Sequence, residues 1–208
     1  GLIIVDEEQH FGVSQKEQLK KIRGDIHVLA LSATPIPRTL QMALTGVRAM
    51  SLIATPPVDR LAVRTFVGPW DSLILREAVM REKLRGGQIF VVCARIKDMQ
   101  KLFDRVTKLV PEASILSAHG QMNPLELDKV MTDFADNKVD ILLSTHIVES
   151  GIDISTANTM IIYRADMFGL SQLYQLRGRV GRGKQRAYAY LTTDPRMSLT
   201  GQAKRRLQ

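Results

Sequence analysis

Short apolar runs alternate with longer stretches of helical periodicity along most of this chain, and this alternation constrains its fold more than any other feature. Runs rich in Val, Ile and Leu are typical of buried strands, whereas apolar residues recurring every three or four positions indicate helices. Strands that alternate with helices favour a parallel sheet covered by helices on both faces, so we expect an α/β fold. The predicted strands cover residues 2–5, 27–31, 62–67, 88–93, 141–144, 159–163 and 187–192, and the predicted helices cover residues 71–85, 97–109 and 123–135.

A polar segment with paired prolines, residues 54–60, divides the chain into unequal parts. Paired prolines favour extended backbone, so we interpret this segment as a linker. Residues 1–53 hold too few strands for a complete domain of this class and are predicted to be the C-terminal part of one. Residues 61–194 are long enough for a complete second domain, and residues 195–208 are predicted to form a basic C-terminal helix. Because the chain begins inside an apolar strand, we expect it to be a piece of a longer protein.

The formal net charge of +8 is confined to one end of the chain. Residues 1–174 carry 20 basic and 20 acidic side chains, while residues 175–208 carry nine basic side chains and one acidic one. This distribution predicts one anion-binding region rather than a uniformly basic surface. No apolar run approaches the roughly 20 residues that a membrane span needs, so no membrane partner is expected. The single cysteine, Cys93, excludes an internal disulfide and favours a reducing, cytoplasmic compartment.

Carboxylates follow the first predicted strand directly, beginning with Asp6 and Glu7. In an open α/β sheet, ligands bind beyond the carboxyl ends of the strands. Asp6 is therefore a candidate ligand of Mg²⁺, and Glu7 is a candidate base for an attacking water, although a solvated acidic turn explains the same residues. Ser32 and Thr34 follow the next strand, where their hydroxyls are candidates to hydrogen-bond the carboxylates. A strand–helix junction capped by Thr34 is the alternative.

The sharpest local signal is an arginine–glycine cluster within residues 175–182. We predict a helical turn that places Arg179 and Arg182 on one side, since they are three positions apart. Gly178 and Gly181 remove bulk from that side, and two guanidinium groups in cleared space suit a triphosphate. A solvated basic helix explains the charge but not the glycines, because two glycines inside a helix cost about 2 kcal/mol relative to alanine.

Two further segments place polar residues after predicted strands. Thr145 follows one strand, and Asp153 comes after Gly151 in the same connection, where it is a candidate partner of a ribose hydroxyl. His119 and Gly120 follow a short strand, in a turn that can present backbone N–H groups to phosphates. Structural histidines and ordinary polar turns are the alternative explanation of these residues.

Taken together and in this order, these segments resemble the motifs of superfamily 2 helicases. The resemblance is carried by Asp6-Glu7-Glu8-Gln9 (motif II), Ser32-Ala33-Thr34 (motif III), residues 89–95 with His119-Gly120 (motif IV region), residues 145–153 (motif V) and residues 175–182 (motif VI). The chain is similar to the branch shared by RecG-type fork-remodelling helicases and transcription-repair coupling factors on residues 6–13, 33–40, 53–57 and 151–154. It is closer to the coupling factors on residues 60–67 and 84–88.

The resemblance implies two RecA-like domains with ATP and Mg²⁺ between them, the second domain being complete in this chain. It implies an ATP-driven translocase on double-stranded DNA that displaces stalled RNA polymerase and recruits excision-repair proteins through domains absent from this chain. The residue roles that it implies are catalysis by Asp6, Glu7, Arg179 and Arg182, with Asp6 as the metal ligand; nucleotide binding by Gln175, Gly151 and Asp153; and DNA binding or coupling by Ser32, Thr34, His119, Gly120 and Thr145.

One element of this superfamily is missing, because no G-x-x-x-x-G-K-[ST] loop occurs in the sequence. We therefore expect this chain alone to hydrolyse ATP negligibly. Two alternatives stay open: a RecG-like ATP-dependent helicase that remodels forks, and a non-hydrolysing RecA-like adaptor that binds nucleic acid. The presence of Asp6, Glu7 and both motif VI arginines favours a motor over an adaptor.

Overall fold

The structure, a computed structural model, describes residues 1–6, 18, 26–32, 49–53, 55, 61–145, 154, 156–183, 185–196 and 198–207. The chain divides into two compact units, Gly1–Thr55 and Pro56–Gln208. Among the described residues, no helix is long and apolar enough to cross a membrane.

The first unit contains two parallel strands, β1 (Leu2–Asp6) and β2 (His27–Leu31). Leu2 pairs with His27 at one end of the ladder, and Asp6 pairs with Leu31 at the other. Val5 is the buried residue of β1, with 3% of its surface exposed. The predicted strands over residues 2–5 and 27–31 are therefore confirmed, with β1 extended by the acidic residue at its carboxyl end.

The second unit is built on a sheet of six parallel strands. The strands lie in the order β3-β8-β7-β4-β6-β5, which leaves β3 and β5 at the edges. This arrangement confirms the predicted α/β class. The strands are β3 (Arg64–Pro69), β4 (Gln88–Cys93), β5 (Ile115–Ala118), β6 (Ile141–Ser144), β7 (Ala157–Tyr163) and β8 (Tyr188–Thr193).

The edge strand β3 lies two residues later than the predicted range of 62–67. Its bounds follow its partner, because all six residues from Arg64 to Pro69 pair in parallel with Tyr188 to Thr193 of β8. The apolar run alone does not show where β3 begins and ends, since its register is set by the neighbouring strand.

The helices of the second unit begin where the sequence places capping residues. The Asp71 carboxylate accepts hydrogen bonds from the backbone N–H groups of Leu73 (2.8 Å) and Ile74 (3.1 Å). Asn123 caps a later helix by accepting from the Leu125 N–H at 3.0 Å. Both caps satisfy amide groups that have no partner within the helix. The helices are α1 (Ser72–Leu84), α2 (Ile96–Leu109), α3 (Pro124–Ala135), α4 (Leu170–Arg177) and α5 (Gly201–Leu207), with a 3₁₀ turn at Ala165–Met167.

Helices cover both faces of the six-stranded sheet, so its central strands are buried on both sides. All six residues of β4 are buried. Alternate residues of β4 enter opposite cores: Phe90 contributes to one, while Ile89 and Val91 contribute to the other. The first core also contains Phe134 of α3 and Leu173 of α4, whereas the second contains residues of α1 and α2. This alternation follows from the two-residue period of a strand.

A buried polar network holds the turn that enters β4. Glu82, which is fully buried, accepts hydrogen bonds from Arg85 and from the Thr159 hydroxyl. Gly86 has a positive φ of 74°, which is the backbone conformation that glycine adopts without strain. Gly87 lies directly against the Glu82 carboxylate, where a Cβ atom would overlap it. The glycine pair in residues 84–88 therefore has a structural explanation.

Candidate nucleotide and nucleic-acid sites

The acidic end of β1 lies beside the end of β2 in the first unit. Since Asp6 pairs with Leu31, Ser32 follows β2 at the same edge of the two strands. The side chains of Asp6 and Ser32 are exposed there. Glu7 and Thr34 lie outside the described residues. An exposed carboxylate at this edge fits Mg²⁺, which commonly keeps several waters and takes only one or two protein carboxylates. In the described part of the chain, no three His, Cys, Asp or Glu side chains form a group that could hold a metal by themselves.

His119 and Thr145 lie side by side at the carboxyl edge of the second unit's sheet. They follow β5 and β6, whose last residues Ala118 and Ser144 pair with each other. The backbone N–H of His119 donates to the sulfur of Met122 at 3.3 Å, and Thr145 is buried with 2% of its surface exposed. The structure therefore brings together two predicted DNA-binding residues that are 26 positions apart in the sequence.

The His119 side chain leaves one polar atom without a partner. Its Nδ1 is buried and has no hydrogen bond to any described residue. Gly120, the next residue, is exposed. The exposed glycine suits the close approach of an oxygen-rich ligand such as a phosphate to the backbone.

The arginine–glycine cluster is not a helical turn, so that prediction is wrong. Helix α4 ends at Arg177, Gly178 is its C-cap, and Gly181 has a φ of 75°. The left-handed conformation at Gly181 then changes the direction of the chain before Arg182. The predicted helical cost of the two glycines does not apply, because neither lies in a helix interior. Arg179 is half-buried, and Arg182 is exposed.

The space beside Gly181 is occupied by the protein itself. A Cβ atom at Gly181 would lie 3.0 Å from the Ala187 Cβ and 3.4 Å from Val63 Cγ2. Ala187 precedes β8 and Val63 precedes β3, so the turn packs against the amino edge of the sheet. This close approach explains the glycine, and it replaces the expectation that the glycine clears room for a triphosphate.

Gln175 is placed near the arginine turn and away from His119. It is half-buried in the last turn of α4, two positions before Arg177, where the helix ends. Gly151 and Asp153, the other predicted nucleotide-binding residues, lie outside the described residues. Within the second unit, the structure thus groups Gln175, Arg179 and Arg182 at the amino edge of the sheet. It groups His119, Gly120 and Thr145 at the carboxyl edge.

A second feature of the carboxyl edge was not predicted from the sequence. A cavity of about 510 Å³ lies where β3, β7 and β8 end, and α2 forms one side of it. Trp70, Tyr163 and Thr193 line it from the strand ends. The only sequence signal was the spacing of basic residues in α2, which places Lys101, Arg105 and Lys108 on one helix face.

Cys93 is a structural residue at the end of β4. It is fully buried, and its thiol lies 3.4 Å from the Arg95 carbonyl oxygen. Burial raises the pKa of the thiol to about 11. Since the thiolate is the reactive form, Cys93 is not a candidate nucleophile.

Comparisons with known proteins agree with this architecture. The family described as "Helicase conserved C-terminal domain" matches residues 72–184, which is more than half of the chain. Transcription-repair-coupling factors from Rickettsia prowazekii and Escherichia coli are 58% and 53% identical over the whole chain. The chain spans 18% of the length of each of these relatives.

Solved structures show the same fold. RecG bound to a three-way DNA junction matches with 38% identity and a TM-score of 0.76, over 100% of this chain and 27% of RecG. Mycobacterium smegmatis helicase Lhr, bound to single-stranded DNA and AMP-PNP, matches with a TM-score of 0.69 over 93% of this chain and 28% of Lhr. At 18% identity, the second match supports the fold alone. The helicase structures confirm the predicted RecA-like fold. This chain belongs to the helicase conserved C-terminal domain family.

Proposed function

We propose that this chain is part of the ATP-driven double-stranded DNA translocase motor of a transcription-repair coupling factor. The observation that carries this proposal is the identity of 53–58% with coupling factors over the whole chain, against 38% with RecG. In the complete protein, the motor would displace stalled RNA polymerase and recruit excision-repair proteins in the bacterial cytoplasm. These partners would bind domains outside this chain.

The proposed chemistry is hydrolysis of ATP with Mg²⁺. Asp6, at the carboxyl end of β1, would hold the metal ion, and Glu7 would accept a proton from the attacking water. Bound Mg²⁺ would neutralise charge on the phosphates. Arg179 and Arg182 would stabilise the charge that develops on the γ-phosphate during hydrolysis. Gln175, Gly151 and Asp153 would bind the nucleotide.

The proposed coupling residues connect nucleotide binding to DNA. His119, Gly120 and Thr145 would contact the phosphates of a DNA strand, and their shared position at the carboxyl edge supports a common role. Ser32 and Thr34 would transmit the state of the nucleotide. ATP binding and hydrolysis would then alternate the grip of the two RecA-like domains on DNA.

The test uses the full-length protein with Arg179→Ala, and Arg186→Ala as the matched control. Both changes remove one arginine, but Arg186 is an exposed residue beyond the turn. We expect Arg179→Ala to lower kcat for DNA-stimulated ATP hydrolysis by about 10³-fold or more while DNA binding persists, because an arginine at the γ-phosphate contributes this much. Arg186→Ala should leave kcat equal to that of the unsubstituted protein. Equal and small effects of both changes would contradict the motor and support a non-hydrolysing adaptor.

A second candidate is a RecG-like helicase that remodels forks, favoured by the TM-score of 0.76 to RecG. The two motors differ in substrate. The full-length protein should release a stalled RNA polymerase from DNA in an ATP-dependent reaction. Regression of a three-way junction without polymerase release would support the RecG-like alternative.

A further inference from the structure

The cavity at the ends of β3, β7 and β8 combines an aromatic floor with a basic rim. Trp70 is 8% exposed, and its ring meets that of Tyr163 edge-on at 5.6 Å between centroids. The Arg105 guanidinium lies over the Trp70 ring, 4.3 Å from its centroid. Arg105 is therefore held over the floor of the cavity by a cation–π contact.

Basic side chains outnumber acidic ones around this cavity. The basic residues are Lys101, Arg105, Lys108 and Arg196, and the acidic ones are Asp104 and Asp194. Both carboxylates already have hydrogen-bond donors: the Gln100 side chain donates to Asp104 at 3.0 Å, and the Arg196 backbone N–H donates to Asp194 at 3.0 Å. Across the described parts of the chain, none of the four basic side chains forms an ion pair. With four basic and two acidic side chains, the rim carries a net charge of +2.

The floor of the cavity also has an unused hydrogen-bond donor. The indole Nε1 of Trp70 is buried and has no acceptor among the described residues. A buried donor without a partner destabilises the folded state. Such a group is uncommon in a native structure. An aromatic floor and a rim with a net charge of +2 together fit a phosphate-bearing ligand.

The position of the cavity indicates that the phosphate belongs to a DNA strand. The cavity and the His119–Thr145 pair lie on the same edge of the sheet, with β8 three strands away from β6. Neighbouring strands are about 4.8 Å apart, so these strand ends are separated by roughly 14 Å. One DNA strand places a phosphate every 3.4 Å or so along the helix axis, so about four phosphates span this distance.

We propose that this cavity is an auxiliary binding site for the phosphodiester backbone of DNA. It would extend the contact that begins at His119 and Thr145 along the carboxyl edge of the sheet. Arg196 and Lys101 would contact phosphate oxygens, while Trp70 and Arg105 form the floor. The proposal rests on the proposed function in taking duplex DNA as the nucleic acid and His119 and Thr145 as its neighbouring contacts.

The test measures binding of a fluorescent DNA duplex to the 208-residue chain at salt concentrations between 50 and 200 mM. All of the lining residues named above belong to the second unit of this chain. The variants are Arg196→Ala and Lys101→Ala, both of exposed residues. The control is Lys129→Ala, an exposed residue of α3, which packs on the opposite face of the sheet.

Each cavity variant should weaken binding and reduce the slope of log K against log salt by about 0.9, the value for one phosphate contact. Raising the salt from 50 to 200 mM should therefore weaken DNA binding by each variant about 3.5-fold less than it weakens DNA binding by the parent chain. Lys129→Ala should leave the slope unchanged. Equal slopes for the cavity and control variants, or no binding of duplex at 50 mM salt, would overturn the proposal.

Trp70 provides an independent readout because it is the only tryptophan of the chain. Its emission should change on addition of duplex. The midpoint of this change should match the midpoint of the binding curve. A change with ATP or inorganic phosphate but none with duplex would assign the cavity to free anions and overturn the DNA assignment. The ATPase and polymerase-release measurements on the full-length protein do not depend on these results, so the two proposals fail separately.

Discussion

Replacing Gly87 with alanine should destabilise the second unit strongly. The cause is a collision of the new methyl group with a buried carboxylate and not backbone strain. A Cβ atom at this position would overlap the Glu82 Oε1 atom and lie 2.8 Å from the Glu82 Cδ. Glu82 is fully buried, and its carboxylate is held by Arg85 and Thr159. The new methyl group therefore fits only if the carboxylate leaves its partners.

The magnitude follows from what Glu82 would lose. Removing one partner from a buried ion pair costs about 3–5 kcal/mol. The Arg85 side chain is 25% exposed, so water partly replaces its lost partner, and we expect a cost of about 3 kcal/mol. For a domain of this size, the melting temperature falls by about 2–4 °C per kcal/mol, which gives a decrease of about 6–12 °C.

The assay is urea unfolding followed by the fluorescence of Trp70, which belongs to the second unit. Gly68→Ala is the matched control, because a Cβ atom there would have no neighbour within 4 Å. In a Glu82→Ala background, Gly87→Ala should cost less than about 0.5 kcal/mol, since its obstacle is gone. The same cost in both backgrounds would refute the explanation.

Three further outcomes follow from individual side chains. Burial alone would raise the pKa of Asp140, but hydrogen bonds from Lys83 and Ser114 outweigh it and hold the pKa below its ordinary value. Asp140→Asn should therefore lower the free energy of unfolding by about 1–2 kcal/mol at pH 7, and the difference should shrink as pH falls below about 4. Because burial raises the pKa of Cys93 to about 11, its reaction with a thiol reagent at pH 8 should be on the order of 100-fold slower in the folded chain than in urea. Gly181→Ala should cost about 1–2 kcal/mol in urea unfolding, because its φ of 75° is strained for alanine.

Local features of the structure were predictable from the sequence. Asp71 and Asn123 act within three residues of their own positions, so their capping role depends on neighbours visible in the sequence. Most strands and helices of the second unit were predictable for the same reason, but β3 lies two residues later than predicted and the helix predicted within residues 175–182 ends at Arg177. The order β3-β8-β7-β4-β6-β5 was not predictable, because it joins segments that are far apart in the chain.

The candidate sites likewise combine features that the sequence predicts with features that depend on distant parts of the chain. The residue types at Arg179 and Arg182 were recognisable, but their local structure was not. Gly181 takes its left-handed conformation beside Val63 and Ala187, and the sequence contains no sign that Val63 lies there. The cavity at Trp70 was missed because strand order alone brings Trp70, Tyr163 and Thr193 to one place.

The strand β8 connects the two edges of the sheet and sets how they can influence each other. Ala187, next to its first residue, lies beside Gly181 of the arginine turn, and Thr193, its last residue, lines the cavity at the opposite edge. Its six residues span about 20 Å, and four of them are buried between neighbouring strands and helices. A packed strand does not shorten or bend easily, because interiors are close-packed. If the arginine turn responds to nucleotide, we therefore expect the carboxyl edge to move with it as one rigid body, so that a change at the turn displaces as a whole the edge that carries the proposed DNA contacts.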